Sequence, residues 1–214
     1  MTQVSLGVAA EVLNISRTSA SQLTEAGVLG AVSMRGNRRL VDLDVVQAVA
    51  ERPPVATVTA PRALVVRLGL TAAVADSWRH YVGWCEDWPR EDKENAIRGD
   101  WRIRAKSVLL PCHIVALVGP VVVGVFEAVA AEQVGDRLRF TVQPASSEAN
   151  RAFTGKLLRL PQGPVIKRLG QTSDSPRRDA VNISVDPDAS PQDRDIAGTS
   201  VLSSGREGVT TLHT

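Results

Sequence analysis

Aromatic residues make up only 4% of this 214-residue chain, and they fall between Trp78 and Phe153. So uneven a supply argues for separate units rather than one uniform core. Cysteine is scarcer still. Cys85 and Cys112 are too few for a disulfide framework, and the first residues lack a secretory signal pattern, so a reducing cytoplasm is expected. The formal net charge of +2 is too small to favour nucleic acid by itself, so any such case rests on local charge. There is no Walker-type loop, Rossmann glycine run or His-Glu-x-x-His helix. His80, Cys85, Cys112 and His113 fit no zinc spacing, and adjacent Cys112 and His113 on a strand would point to opposite faces. Asp87, Glu91, Asp92 and Glu94 read as a solvated acidic loop, and Glu127 is a lone carboxylate. No metal, cofactor or catalytic constellation is therefore expected, and the chain does not read as an enzyme.

One long apolar run is present. Residues 107–126 carry no formal charge apart from His113, a length that could span a bilayer. Pro111, Gly119, Pro120 and Gly124 interrupt it, and its valines favour strands. The Gly119-Pro120 pair predicts a turn between two buried strands, with no membrane partner.

The chain divides into four regions and reads as α+β. Residues 1–52 suggest helices with a basic hairpin. Residues 53–62, with Pro53, Pro54 and Pro61, suggest a stiff linker. Residues 63–170 hold the valine-rich runs, and 171–214 are Ser/Asp/Thr/Gly/Pro-rich and expected to be disordered.

In the first region, Val8, Ala9, Val12 and Leu13 predict one apolar face of a helix over 5–13. Asn14 suits its left-handed end, and Ser16 suits the N-cap of a second helix over 17–26, with Ala20 and Leu23 inward. Gly27 stops that helix. Strand–turn–strand over 31–41 then predicts a hairpin bearing Arg35, Asn37, Arg38 and Arg39. Asp42 or Asp44 caps a third helix over 43–51, with Val45, Val46 and Val49 inward.

The run "AAEVLNISRTSASQLTEAGVLGAVSMRGNRRLVDLDVVQAV" resembles the MerR-like winged helix-turn-helix of the excisionase type, over residues 4–50. Asn14 stands where that pattern usually has glycine. The resemblance implies double-stranded DNA as partner. It makes Ser16, Arg17, Thr18, Ser19, Ser21 and Gln22 the start of a recognition helix, and Arg35, Asn37, Arg38 and Arg39 a wing. Those residue types suit a duplex. Arg forks match guanine, Gln matches adenine, and hydroxyls and helix N-termini take phosphates. A lone domain of this size makes few base contacts, so a homodimer or tandem binding is expected.

For 63–170 the expectation is a helix over 71–85, with Val74, Trp78, Tyr81, Val82 and Cys85 on one face. A small antiparallel sheet or barrel follows, with strands over 101–103, 113–118, 121–127, 137–142 and 165–169, and a helix or turn over 149–158. "RGDWRI", "IVALVGPVVVGVFEA", "DRLRFTVQPA", "FTGKLL" and "GPVIKRL" are similar to PUA-like small barrels of the ASCH and EVE types. That resemblance implies RNA or a modified base as ligand, with Trp84, Trp88, Arg98, Trp101 and Arg102 as candidate pocket residues. Three functions follow as expectations: a sequence-specific transcriptional regulator, an excisionase-like architectural factor that bends DNA, and a modified-base or RNA reader.

Overall fold

Short capping side chains set the first fifty residues. In the computed structural model, which describes residues 2–75, 78–161 and 163–170, β1 (Gln3–Ser5) leads into α1 (Leu6–Leu13). The Ser5 hydroxyl accepts the Val8 N–H, and Asn14 ends α1 in the left-handed region at φ 51°. Ser16 then caps α2 (Arg17–Glu25), accepting the Ser19 N–H at 3.1 Å. Gly27 turns the chain away at φ 77°. A hairpin of β2 (Ser33–Arg35) and β3 (Arg38–Asp42) follows. Asp42 accepts the Asp44 N–H at 3.0 Å and opens α3 (Leu43–Ala50). β1, only three residues long and so too short for a strand pattern to announce it, adds to the hairpin antiparallel to β3.

Ala9, Leu13, Leu23, Leu29, Val41, Val46 and Val49 form the interior of this unit. Val8 and Val12 do not share that face. They are 41% and 38% exposed, because Ala9, Ala10 and Leu13 occupy the buried arc of α1.

Residues 53–55 are pinned rather than loose. The Leu157 N–H donates to the Pro53 carbonyl at 3.0 Å, and the Val55 N–H donates back to the Leu157 carbonyl at 2.8 Å. Then come β4 (Ala63–Arg67), β5 (Ala72–Ala73), β6 (Tyr81–Val82), α4 (Arg90–Arg98), β7 (Cys112–Val118) and β8 (Val121–Val134). β9 (Arg137–Pro144), α5 (Ser147–Phe153) and β10 (Ile166–Leu169) complete the described chain. The strands order as β10-β4-β7-β8-β9.

This sheet is mixed, not antiparallel throughout. β4 and β7 pair in parallel, which their long connection through β5, β6 and α4 allows. Period-two alternation covers both faces. Leu64, Val66, Ile114 and Ala116 join the core shared with the N-terminal helices. Ala63, Val65, Val115 and Leu117 pack on the other side with Phe153 of α5.

Four further expectations are corrected. Residues 71–85 do not form one helix. Ala72–Ala73 pairs with Tyr81–Val82 as a two-stranded ribbon, and the Thr71 hydroxyl locks its ends by donating to the Trp84 carbonyl at 2.8 Å. Gly83, at φ 90°, lies where a Cβ would sit 2.6 Å from the Leu70 carbonyl oxygen, an approach that only glycine permits. The acidic run is not all loop either. Glu91, Asp92 and Glu94 lie on α4, where acids in the first turn, Arg98 in the last and an Arg90–Glu94 ion pair at 2.6 Å all suit a helix. The strand expected over 101–103 shrinks to a single bridge from Trp101 to Leu138. β8 runs on to Val134, well past its expected end at 127. Among the described residues, no helix is long and apolar enough to cross a membrane. The segment 171–214 lies outside the described residues.

Candidate nucleic-acid interface

Arg17 and Ser21 project from α2 beside the tip of the β2–β3 hairpin. Together with Asn37, Arg38 and Arg39 they line a groove of about 480 Å³. The local sequence explains the placement. Ser16 starts α2 just before Arg17, and the left-handed Gly36 (φ 59°) turns the hairpin so that Asn37 and Arg38 meet that helix. Arg17, Arg35, Asn37 and Arg38 are all exposed, and the three arginines form no ion pair among the described residues.

The expected residues fall on two sides of α2. Positions 17, 21 and 25 lie one helical turn apart and face the hairpin groove. Ser16, Ser19 and Gln22 instead line a larger cleft of about 790 Å³ between α2 and the sheet unit. A side chain at Gly119, in the β7–β8 turn, would lie 3.5 Å from the Ser19 Cβ and 3.8 Å from Leu23. The turn therefore stands over that side of α2. Thr18 is exposed between the two sides.

One charged groove residue was not expected. Glu25 accepts from Arg39 Nη1 at 3.1 Å and from the Ser21 hydroxyl at 3.3 Å. The 17–21–25 spacing is visible in the sequence. The bond to Arg39 is not, because it requires the hairpin to fold back on α2.

The five residues expected to share a ligand pocket are dispersed. Trp84 is 2% exposed, edge-on to Phe126, and its indole N–H donates to Glu86 at 3.0 Å. Trp88 stacks on Tyr81 with centroids 5.0 Å apart. Trp101 donates to the Ile97 carbonyl at 2.8 Å and lines the cleft beside α2. Arg98 bonds Asn95 at 3.3 Å, and Arg102 reaches Asp136 at 3.7 Å. Of the five, only Trp101 lines that cleft. The aromatic that gathers cations is Trp78, with Arg139 4.3 Å and Arg79 4.7 Å from its ring. Arg139 in turn holds Asp100 through two bonds, at 2.9 and 3.3 Å.

Cys112 is chemically quiet. Burial, and then the nearby Glu127 carboxylate, push its thiol up to about 11, so it stays protonated at neutral pH.

No family model matches the chain, and no curated protein or solved structure matches it either.

Proposed function

We propose that the chain is a sequence-specific DNA-binding protein that acts as a transcriptional regulator, through a winged helix-turn-helix formed by residues 1–52. The observation that carries this reading is the convergence of Arg17, Arg38 and Asn37 on one groove between α2 and the hairpin. A cationic, hydroxyl-bearing helix start beside a basic hairpin tip supplies what a duplex needs: charge for phosphates and forks for base edges. In this reading Arg17, Thr18 and Ser21 enter the major groove, while Arg35, Asn37 and Arg38 hold the backbone. Ser19 and Gln22 face the β7–β8 turn and contribute less.

Regulation is favoured over simple tethering by how closely the second unit joins the first. One buried cluster runs from Leu13 and Leu23 to Trp84 and Ile114, so a change in the sheet unit bears directly on α2. The test is fluorescence anisotropy on genomic duplex fragments across a salt series. Replacing both Arg17 and Arg38 with Ala should weaken binding and reduce the salt slope by about 0.9 for each phosphate no longer neutralised. Unchanged affinity and slope would remove the groove from the interface.

A further inference from the structure

A second cavity, of about 540 Å³, lies at the start of β7, the end away from α2. Its walls come from residues 61–64, from 106–109 and 111–113, and from the Arg168–Gly170 stretch. Three kinds of group meet there. The first is apolar: Leu64, Val108, Pro111 and Leu169 line it, and Leu109 lines it while remaining 60% exposed. The second is cationic. Arg62, Lys106 and Arg168 are exposed lining residues with no side-chain partner among the described residues. The third is an orphan, for His113 Nδ1 is buried and bonded to nothing. Buried nitrogens are seldom left this way, and those that are call for an unseen partner.

The cavity also holds Glu127, the cross-strand partner of His113. One of its oxygens accepts from Gln143 at 2.8 Å. Three cations against one carboxylate leave the site net positive. A metal is the wrong occupant, since no group of three His, Cys, Asp or Glu among the described residues could hold one.

We propose that this cavity binds a small organic carboxylate with an apolar body, its head drawn by Arg62, Lys106 and Arg168 and its body set against Leu64, Val108 and Leu109. Planar guanidinium forks match a carboxylate in two-bond geometry. The apolar walls gain by being covered, and a ligand seated at the floor lies against His113, one of the lining residues. The assignment concerns the sheet unit alone and stands whether or not the N-terminal unit binds DNA.

The test follows the imidazole signals of the full chain by NMR during titration with hexanoate, benzoate, hexanamide and inorganic phosphate. Both carboxylates should move the His113 signals and leave His80 unmoved, with a Kd on the order of a millimolar or tighter for ligands of this size. Hexanamide and phosphate should leave both imidazoles unmoved. Replacing Arg62 and Arg168 with Gln should weaken hexanoate by about tenfold or more. A thermal melt of the unmodified chain with and without hexanoate gives a readout independent of any variant, with Tm expected to rise. No response to either carboxylate overturns the site. An equal response to hexanamide overturns its anionic half, and an equal response to phosphate overturns its apolar half.

Discussion

Arg159, on the segment after α5, donates from Nη2 to the Leu13 carbonyl at 3.0 Å and from Nη1 to the Asn14 carbonyl at 3.1 Å. It thereby caps the end of α1 from a position 145 residues away along the chain. The last carbonyls of a helix have no partner within it, and a guanidinium also suits the negative end of the helix dipole. The same arginine lines the cleft beside α2. Replacing Arg159 with Ala should therefore cost about 1–2 kcal/mol of stability, at the lower end because the side chain is exposed. Urea denaturation measures the loss. Hydrogen exchange should show faster opening at the α1–α2 turn, and a uniform change across the chain would contradict a local clasp.

Which parts of the fold were legible follows from the range of the forces involved. Ser16, Asn14, Gly27 and Asp42 act within four residues, so the ends of α1, α2 and α3 could be read directly from side-chain chemistry. The Gly119-Pro120 turn was legible for the same reason. The pairing of Ala72–Ala73 with Tyr81–Val82 was not, because Tyr81 and Val82 recur at spacings that suit a helix as well. The close approach of Gly83 to Leu70, the bond from Thr71 to Trp84 and the bond from the Val74 N–H to the His80 carbonyl decide for the ribbon. The parallel pairing of β4 with β7 joins Ala63 to His113, a match no local pattern signals. At the candidate interface, Arg17 and Arg38 could be picked out as cations on a cap and a turn. The division of α2 into two sides could not, since it is set by where the β7–β8 turn docks.

Trp84 depends on a glycine. A Cβ at Gly124 of β8 would lie 2.8 Å from Trp84 Cη2 and 2.8 Å from Phe126 Cε2. Trp84 is buried, so its ring cannot swing into solvent. Gly124→Ala should destabilise the chain by about 1–3 kcal/mol through overpacking. The midpoint in urea should fall, and the Trp emission of the folded state should shift. An unchanged midpoint would mean that β8 can move aside at no cost.

Cys112 predicts a pH dependence whose direction can be worked out. Its folded value is raised from 9.0 to about 11, by burial first and Glu127 second. The stability contributed by the neutral thiol is thus fully present below about 9.0 and is lost as pH climbs through about 11. Iodoacetamide should label Cys112 slowly in the folded chain at pH 8, and much faster once urea unfolds it. Mass spectrometry of the tryptic peptides separates it from Cys85. Rapid labelling of Cys112 in the folded chain would place its thiol in solvent and contradict the shift.

Glu25 sits among the groove cations as the one carboxylate there, holding Arg39 at 3.1 Å. Both side chains are partly exposed, so the pair adds little to stability, on the order of 0.5 kcal/mol. Its effect on a polyanion should be larger. The carboxylate repels phosphates and occupies a guanidinium that could otherwise neutralise one. Glu25→Gln keeps the shape and hydrogen-bonding capacity while removing the charge. If the hairpin groove faces the duplex, this substitution should tighten DNA binding several-fold at low salt and steepen the salt slope by about 0.9, as one more phosphate is neutralised. A paired variant separates this from a general gain in positive charge. Glu51→Gln, just beyond α3 and away from the groove, removes the same charge and should leave both quantities nearly unchanged. Equal tightening by the two variants would show that net charge, rather than the Arg39–Glu25 pair, governs the interaction.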